Sequence, residues 1–399
     1  MTQPTAAVRD RVLSLAPTEL PAYIYDLSAL RAHAAAVRDA LPERVELYYA
    51  AKANPEPEIL AALGPFVDGY EVASGGELAH VAKAVPGRPL AFGGPGKTPD
   101  EITAALDHGV ERFHVESGHE LRMLAEFARR VAPGRRVAVL PRVNLPVADG
   151  SLASGSLTMG GRPTPFGMDP ARAEPAIRQL ADGVFPQLEL VGIHAHLASG
   201  LEAAEQVAVA ESVVSWATDL GVGLGEVNVG GGMHVDYGAP ERRFDWAAYG
   251  TGLARLVERH PRLTLRIEPG RALTAYCGWY ATEVLDVKHS HGEEFAVVRG
   301  GTHHLRTPAT KGHDQPCSVL PVDAWPHPWP RPAVEGEQIT LAGQLCTPKD
   351  VLARRVPAAG LRAGDRVAFA LAGAYAWNIS HHDFLMHPRP GFHFLDAAV

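Results

Sequence analysis

The sequence predicts an α/β protein: a (β/α)8 TIM barrel with a C-terminal β domain. Between about residues 45 and 268, short apolar runs alternate with longer segments of helical periodicity. After about residue 275 this rhythm gives way to EEFAVVRG, QITLAG and DRVAFALAG, separated by turns rich in proline and glycine. The length of 399 residues suits a barrel of about 250 residues plus a smaller domain.

Eight apolar runs can be counted, which is the number of strands that closes such a barrel. In chain order they are VELYYA (45–50), VDGYEVA (67–73), PLAFG (89–93), RFHVE (112–116), VAVLPRV (137–143), LVGIHAH (190–196), EVNVG (226–230) and LTLRIE (263–268). We therefore predict a barrel over residues 28–275. Residues 1–27 and 276–399 are predicted to form a β-rich domain that contributes to a dimeric active site.

Active sites of these barrels lie at the C-terminal ends of the strands, so the residues that follow each run can be read as a ring. Single glycines, serines or charges usually mark loops, but chemically useful residues follow nearly every run. In chain order these are Lys52, Ser74-Gly75-Gly76, Gly93-Gly94, Glu116, Arg142, His194 with His196, Gly230-Gly231-Gly232, and Glu268 with Arg271. A long segment rich in glycine and serine (148–169) is a further candidate, as an active-site loop.

Composition narrows the classes of ligand. The net charge of −8 and the pI near 6.2 provide no broad positive field, so we expect neither a nucleic-acid nor a membrane partner. Charges and Pro17 interrupt the N-terminus where a secretory peptide would be apolar, and three scattered cysteines suggest no disulfide framework. These features indicate a cytoplasmic protein with a small-molecule ligand.

The residues of the ring suggest a phosphate-bearing aldehyde cofactor. Lys52 lies at a strand end, where a desolvated amine could form an imine, although a bare lysine is usually only a solvated charge. The three glycines 230–232 and Arg271 could hold a phosphate, and Glu268 could keep a pyridine nitrogen protonated. His194 and His196 share one strand face, which allows ring stacking or, alternatively, a His-x-His metal pair.

Seven motifs carry a resemblance to a known family: YYAAKAN, EVASGGEL, HAHLASG, VGGG, EPGR, GQLCTPKD and GAYAW. In this order, from about residue 23 to 384, they resemble the fold-type III pyridoxal-phosphate decarboxylases, the ornithine/diaminopimelate decarboxylase family. The resemblance implies an alanine-racemase-like barrel, pyridoxal 5'-phosphate as cofactor and an amino-acid decarboxylase. It also implies a homodimer with shared active sites and no catalytic metal.

The same resemblance assigns roles to individual residues. Lys52 would be the Schiff-base lysine, His196 would stack on the cofactor ring, and Glu268 would face the pyridine nitrogen. Cys346 of one subunit would protonate the product carbon in the other. Alanine racemases place an arginine where Glu268 stands, so glutamate favours decarboxylation. The residues implied to hold the phosphate are Ser199, Gly231, Gly232, Arg271 and Tyr375.

Two departures from the family pattern bear on the substrate. Thr347 stands where ornithine and diaminopimelate decarboxylases carry an acid for the distal amine, which makes a free diamine substrate doubtful. The segment GGTHHLRTPATKGHDQP is a polar loop or an anion-binding surface, and its side chains include His303, His304, Arg306, Lys311 and His313. Together with NISHHDFLMHP it resembles the siderophore-biosynthesis branch, whose members decarboxylate a citryl-diaminopropionate conjugate.

We therefore predict decarboxylation of a carboxylate-rich substrate such as citryl-diaminopropionate, with His304, Arg306 and Thr347 as substrate-binding residues. The main alternative is a diaminopimelate decarboxylase of lysine biosynthesis, against which Thr347 counts. A third possibility is an amino acid attached to a carrier or a natural-product scaffold. From other classes come a non-enzymatic pyridoxal-phosphate carrier and a barrel metallohydrolase. A carrier would need neither Cys346 nor the β domain.

Overall fold

The computed structural model describes residues 3–146, 157–158, 160–357 and 359–396. The chain divides into two compact units. The barrel unit comprises Arg31–His234 and Phe244–Leu273. The β unit comprises Met1–Leu30, Val235–Arg243 and Thr274–Val399. The short segment Val235–Arg243 therefore belongs to the β unit although barrel residues precede and follow it in the chain, which the sequence did not indicate.

The barrel unit contains a parallel sheet whose strands coincide with the eight predicted runs. Each strand is followed by a helix, as a βα repeat requires. The strands are Val45–Ala50, Gly69–Val72, Leu90–Phe92, Arg112–Val115, Val137–Pro141, Leu188–Leu190 continued by Gly192–His194, Glu226–Asn228 and Thr264–Ile267. The helices that follow are Pro57–Leu63, Gly75–Ala84, Pro99–Asp107, Gly118–Val131, Pro170–Ala181, Ala203–Asp219, Trp246–Arg259 and Arg271–Thr274, and helix Leu27–Ala40 precedes the first strand.

The sixth strand closes the sheet and is interrupted at Val191. Its first segment pairs with Val137–Pro141, and its second segment pairs with Glu226–Asn228. A parallel bridge between Arg142 and His194 joins the two sides. The predicted (β/α)8 barrel is confirmed, with one strand in two parts.

Short capping motifs make the turns from strand to helix tight. The side chains of Ser74, Thr98 and Ser117 each accept a hydrogen bond from the backbone amide three residues later, and in each case that residue is a glutamate. A helix can therefore start within a few residues of a strand end. This places the strand-end side chains at one rim of the barrel.

The β unit is built on one mixed sheet. The pairing order is Cys317–Leu320, Arg366–Phe369, Gly278–Ser290, Glu293–Val298, Gln338–Ala342 and Val351–Pro357. Ala22–Asp26 pairs with Gly278–Ser290 on one side and with Gly391–Leu395 on the other. The unit also contains helices Ala6–Ser14 and Thr307–Lys311. The predicted β-rich second domain is thus confirmed, and it includes the N-terminal strand.

The length and polarity of a helix decide whether it can cross a membrane. Within the described part of the chain, each helix is too short or too polar to cross a membrane.

Candidate active site

Lys52 lies in a short 3-10 turn, Ala51–Ala53, directly after the first barrel strand. Its ammonium contacts a carboxylate oxygen of Glu71 at 2.5 Å. The two residues meet because Glu71 lies on the neighbouring strand, in register with Ala50. The Lys52 side chain is 45% exposed, whereas that of Glu71 is 5% exposed, so an anchored carboxylate holds an accessible amine.

Glu71 was not singled out from the sequence, although it opens the motif EVASGGEL. Burial raises the pKa of its carboxyl group, Glu268 raises it further, and the Lys52 ammonium acts in the opposite direction. A carboxyl group with a raised pKa can exchange a proton with the neighbouring amine. The signal that could have found it is its position at the end of the strand beside Lys52.

Glu268 follows the eighth strand and is buried among polar groups. Its Oε1 accepts a hydrogen bond from Asn228 Nδ2 at 2.7 Å. Its Oε2 lies 3.4 Å from His194 Nε2, and Oε1 lies 3.7 Å from His114 Nε2. The sequence identified Glu268 and His194 as members of the ring but missed His114 and Asn228, which lie at the ends of the fourth and seventh strands.

The two imidazoles beside Glu268 are neutral. His114 and His194 stack with ring centroids 4.2 Å apart and planes at 5°. Burial lowers the pKa of both rings well below the usual value, and a neighbouring group lowers each further: His194 for His114, and Arg142 for His194. They therefore bring no positive charge to the Glu268 carboxylate.

Metal binding was the alternative use of the predicted histidine pair. Potential ligand atoms of His114, His194 and Glu268 lie within 4.8 Å of one another. This set contains His194 but not His196, so the structure does not assemble the His-x-His pair on which that alternative depends. Instead, His196 contacts a different group of residues.

His196 contacts the glycine-rich segment after the seventh strand. Its Nδ1 accepts a hydrogen bond from the Gly231 amide at 3.2 Å, and its Nε2 lies 3.5 Å from the Ser199 hydroxyl. Burial, reinforced by Arg142, lowers the pKa of His196 to about 3, so the ring is neutral. Gly231 was predicted to hold a phosphate, yet here its amide donates to His196 and fixes the orientation of that ring.

Glycine is required in this segment because the backbone approaches its neighbours closely. Gly230 and Gly232 have φ values of 71° and 102°, in the left-handed region that favours glycine. A Cβ on Gly230 would lie 2.7 Å from His196 Nδ1, and one on Gly232 would lie 2.2 Å from the Ala198 carbonyl. Arg271 begins the helix that follows Glu268. The segment offers bare backbone beside the histidine, as a bound anion would need.

The remaining predicted site residues belong to the β unit. Cys346 has an exposed free thiol, whereas Cys277 and Cys317 are buried. Burial raises the pKa of Cys317 to about 12, so Cys346 is the accessible thiol of the three. Tyr375 is half-buried and adopts a φ of 48°, a strained value for a residue with a side chain.

A cavity of about 290 Å³ lies within the β unit, and Leu345 and Thr347, which flank Cys346 in the chain, line it. Arg306 and Thr347, both predicted to bind substrate, line it. His304 does not: it is 1% exposed, and its Nδ1 lies 3.1 Å from the Tyr280 hydroxyl. The full lining is Thr302, Arg306, Ala309, Thr310, Leu345, Thr347, Lys349 and His381.

The lining of this cavity is basic and contains no carboxylate among the described residues. Lys349 and His381 were not identified from the sequence, because 32 residues of chain separate them and only the fold brings them together. Burial and Arg306 lower the pKa of His381, so its neutral ring can donate one hydrogen bond. The cavity therefore suits an anionic ligand.

Of the predicted active-site loop at 148–169, residues 148–156 and 159 lie outside the described part of the chain.

The sequence of this chain is similar to a known protein family and to individual decarboxylases. Residues 27–275 match the model of the family described as "Pyridoxal-dependent decarboxylase, pyridoxal binding domain". The chain is 38% identical over 380 residues to the 2-[(L-alanin-3-ylcarbamoyl)methyl]-2-hydroxybutanedioate decarboxylase of Staphylococcus aureus, covering 94% of this chain and 93% of that protein. It is 32% identical over 386 residues to the L-glutamyl-[BtrI acyl-carrier protein] decarboxylase of Niallia circulans, covering 93% and 88%.

Among solved structures, the fold resembles that of diaminopimelate decarboxylase from Helicobacter pylori in complex with L-lysine. The TM-score is 0.82 with 24% sequence identity, and the match covers 98% of this chain and 94% of that one. At this identity the likeness concerns the fold.

Proposed function

Because this chain belongs to the family of pyridoxal-dependent decarboxylases, we propose that it decarboxylates a citryl amide of 2,3-diaminopropionate, a carboxylate siderophore precursor. The observation that carries the choice of substrate is the basic cavity of the β unit. The relative at 38% identity supports the choice, since its substrate name describes a citrate-like diacid joined through an amide to C3 of alanine.

The barrel residues fit pyridoxal phosphate. Lys52 presents an accessible amine for the aldehyde, and the adjacent Glu71 can take or return the proton that the amine exchanges. A side chain at position 230 or 232 would collide with His196 or Ala198, so the segment that would hold the phosphate needs glycine at both positions. When bound, pyridoxal phosphate supplies an electron sink for the negative charge that CO2 leaves behind.

Glu268 would hold the proton on the pyridine nitrogen of the cofactor. Its contacts with Asn228, His114 and His194 are all to neutral groups, so its negative charge is not already compensated by them. His196, neutral and fixed by the Gly231 amide, would lie against the ring face. Cys346, as an exposed thiol, would deliver the proton to the product carbon.

The substrate proposal rests on charge. Arg306 and Lys349 line the cavity, and neither forms an ion pair with a described carboxylate. Thr347 adds a hydroxyl group to the same walls, whereas the hydroxyls of Thr302 and Thr310 already donate to Asp350 and to the Arg306 carbonyl and can only accept. A citryl group has carboxylates and a hydroxyl that such a lining can bind, whereas the distal ammonium of a free diamine would meet like charge.

The same observations bear on three alternative functions of the chain. Membership of a decarboxylase family makes the chain an enzyme, which removes the non-enzymatic carrier. Diaminopimelate decarboxylation is disfavoured because the described lining offers no carboxylate to pair with the distal ammonium group of that substrate. A carrier-bound amino acid has one specific observation in its favour, the 32% identity to a decarboxylase named for a glutamyl group on an acyl-carrier protein.

We also propose that the enzyme works as a homodimer in which Cys346 acts in the partner's barrel site. The support is the family resemblance together with an exposed position for Cys346, the one described cysteine with an accessible thiol. In a two-fold dimer each such contact occurs twice, so two equivalent sites would form.

Removing one cation from the cavity should weaken substrate binding. Arg306→Ala or Lys349→Ala is expected to raise KM for the citryl substrate by roughly ten- to a hundredfold, since each would remove one charge-assisted contact of about 1.5–3 kcal/mol. Steady-state CO2 release measures the change. Arg354→Ala and Lys288→Ala are matched controls, because these residues are exposed in the same unit and lie outside the cavity lining. An unchanged KM in both cavity variants would remove this cavity from substrate binding.

A further inference from the structure

Asn228 ends the seventh barrel strand, immediately before the segment that contains the three glycines. Its side chain is fully buried. A buried carboxamide is costly to desolvate unless its donors and acceptor are bonded, so its partners indicate why it is there. Neither the sequence motifs nor the mechanism above gives this residue a role.

The carboxamide bonds in two directions. Its Oδ1 accepts a hydrogen bond from the Gly230 amide at 2.9 Å, and its Nδ2 donates to Glu268 Oε1 at 2.7 Å. The Gly230 donor fixes which end of the carboxamide is oxygen, because an N–H group cannot donate to the NH2 end. The amide group must therefore face the carboxylate.

The Glu268 end of this link matters because the Asn228 amide binds one defined oxygen of the carboxylate. Nδ2 of Asn228 is also 3.4 Å from His114 Nε2, so one amide group lies between the carboxylate and the imidazole. An amide orients the carboxylate without cancelling its charge, which a lysine or arginine in its place would do.

The Gly230 end of the link fixes the segment that approaches His196. Gly230 has a left-handed φ, and the next amide, that of Gly231, donates to His196 Nδ1. The orientation of the imidazole therefore depends on the same turn that Asn228 holds. One side chain connects the carboxylate, the glycine segment and, through that segment, the histidine ring.

We infer that Asn228 is a positioning residue that sets Glu268 and the Gly230–Gly232 segment in one fixed arrangement for binding pyridoxal phosphate. The inference rests on the proposed function, since it assigns the carboxylate to the pyridine nitrogen and the glycine segment to the phosphate. Asn228 acts through these groups and is not itself placed against the substrate.

Two substitutions separate the two ends of the link. Asn228→Ala removes both hydrogen bonds. Asn228→Asp keeps an oxygen for the Gly230 amide but sets a second carboxylate against Glu268. Glu226→Gln is the matched control, because Glu226 lies buried at the other end of the same strand and pairs with Arg112 there. It should lower thermal stability without touching the site.

The readouts do not depend on turnover. Apo-protein is titrated with pyridoxal phosphate to obtain Kd, the visible circular dichroism of the bound cofactor reports its orientation, and Tm reports stability. We expect Asn228→Ala to raise Kd by roughly ten- to a hundredfold, the range for losing hydrogen bonds to a charged group. Asn228→Asp should alter the visible circular dichroism of the bound cofactor. Adding Glu268→Gln to that variant should offset part of the change, because a carboxamide at position 268 can donate to the new carboxylate and both residues act through one contact.

Wild-type Kd and wild-type visible circular dichroism in both Asn228 variants, with only the fall in Tm that Glu226→Gln also shows, would overturn the inference. Fully additive effects of Asn228→Asp and Glu268→Gln would overturn it as well, because additivity means that the two residues act independently. Wild-type protein that takes up no pyridoxal phosphate would instead overturn the proposed function, so the two failures are distinguishable.

Discussion

Lys52→Ala is expected to abolish the covalent attachment of pyridoxal phosphate and to lower kcat by at least about a thousandfold. The physical reason is that Lys52 is the amine that Glu71 holds at the barrel rim, where the cofactor aldehyde would bind. Treatment of the holoenzyme with borohydride and mapping of the labelled peptide measures the attachment, and CO2 release measures kcat.

Lys83→Ala is the control for the Lys52 substitution, because Lys83 is an exposed lysine on the neighbouring barrel helix Gly75–Ala84. It should keep both the label and the activity. A borohydride-stable label on a lysine other than Lys52 would place the cofactor elsewhere and contradict the site described above.

Mixing two inactive proteins is expected to restore activity. Cys346→Ala should lose most turnover, because its thiol is the proposed proton donor. When it is combined with Lys52→Ala under conditions of subunit exchange, a heterodimer would carry both lesions at one site and none at the other. Random exchange should therefore recover about a quarter of the wild-type activity.

The control for this experiment is the mixture of Lys52→Ala with a Lys52→Ala, Cys346→Ala double variant, which has no intact site in any dimer. Exchange itself is verified with a size tag on one partner. Verified exchange without recovered activity would show that each chain completes its own site, and the proposal of a shared site would be wrong.

The barrel could be predicted because its evidence is local. A short continuous apolar run is typical of a strand buried on both faces. Ser-x-x-Glu or Thr-x-x-Glu patterns begin three of the helices that follow these strands. Lys52 and Glu268 could be identified for the same reason, since each lies at the end of a run. The interruption at Val191 could not be predicted, because it separates two segments of one run that pair with different neighbouring strands.

The residues that surround the predicted site residues could not be identified from the sequence, because their positions relative to the site depend on the pairing between strands. Glu71 is relevant only through its register with Ala50, and Asn228 only through its distance to Glu268, which is 40 residues away in the chain. His304 also shows that the surroundings of a residue depend on the fold. It stands in a polar motif beside Arg306, yet its neighbours Tyr280 and Trp377 bury it, and it does not line the cavity.

The most direct test of the proposed function is CO2 release by the purified holoenzyme from two substrates at equal concentration, the citryl amide of 2,3-diaminopropionate and diaminopimelate. The basic cavity of Arg306 and Lys349 predicts that kcat/KM is higher for the citryl amide by at least about a hundredfold, the ratio expected when one substrate gains charge-assisted contacts and the other meets like charge. Efficient release from diaminopimelate, with none detected from the citryl amide, would contradict the proposed substrate and leave the cavity without its role.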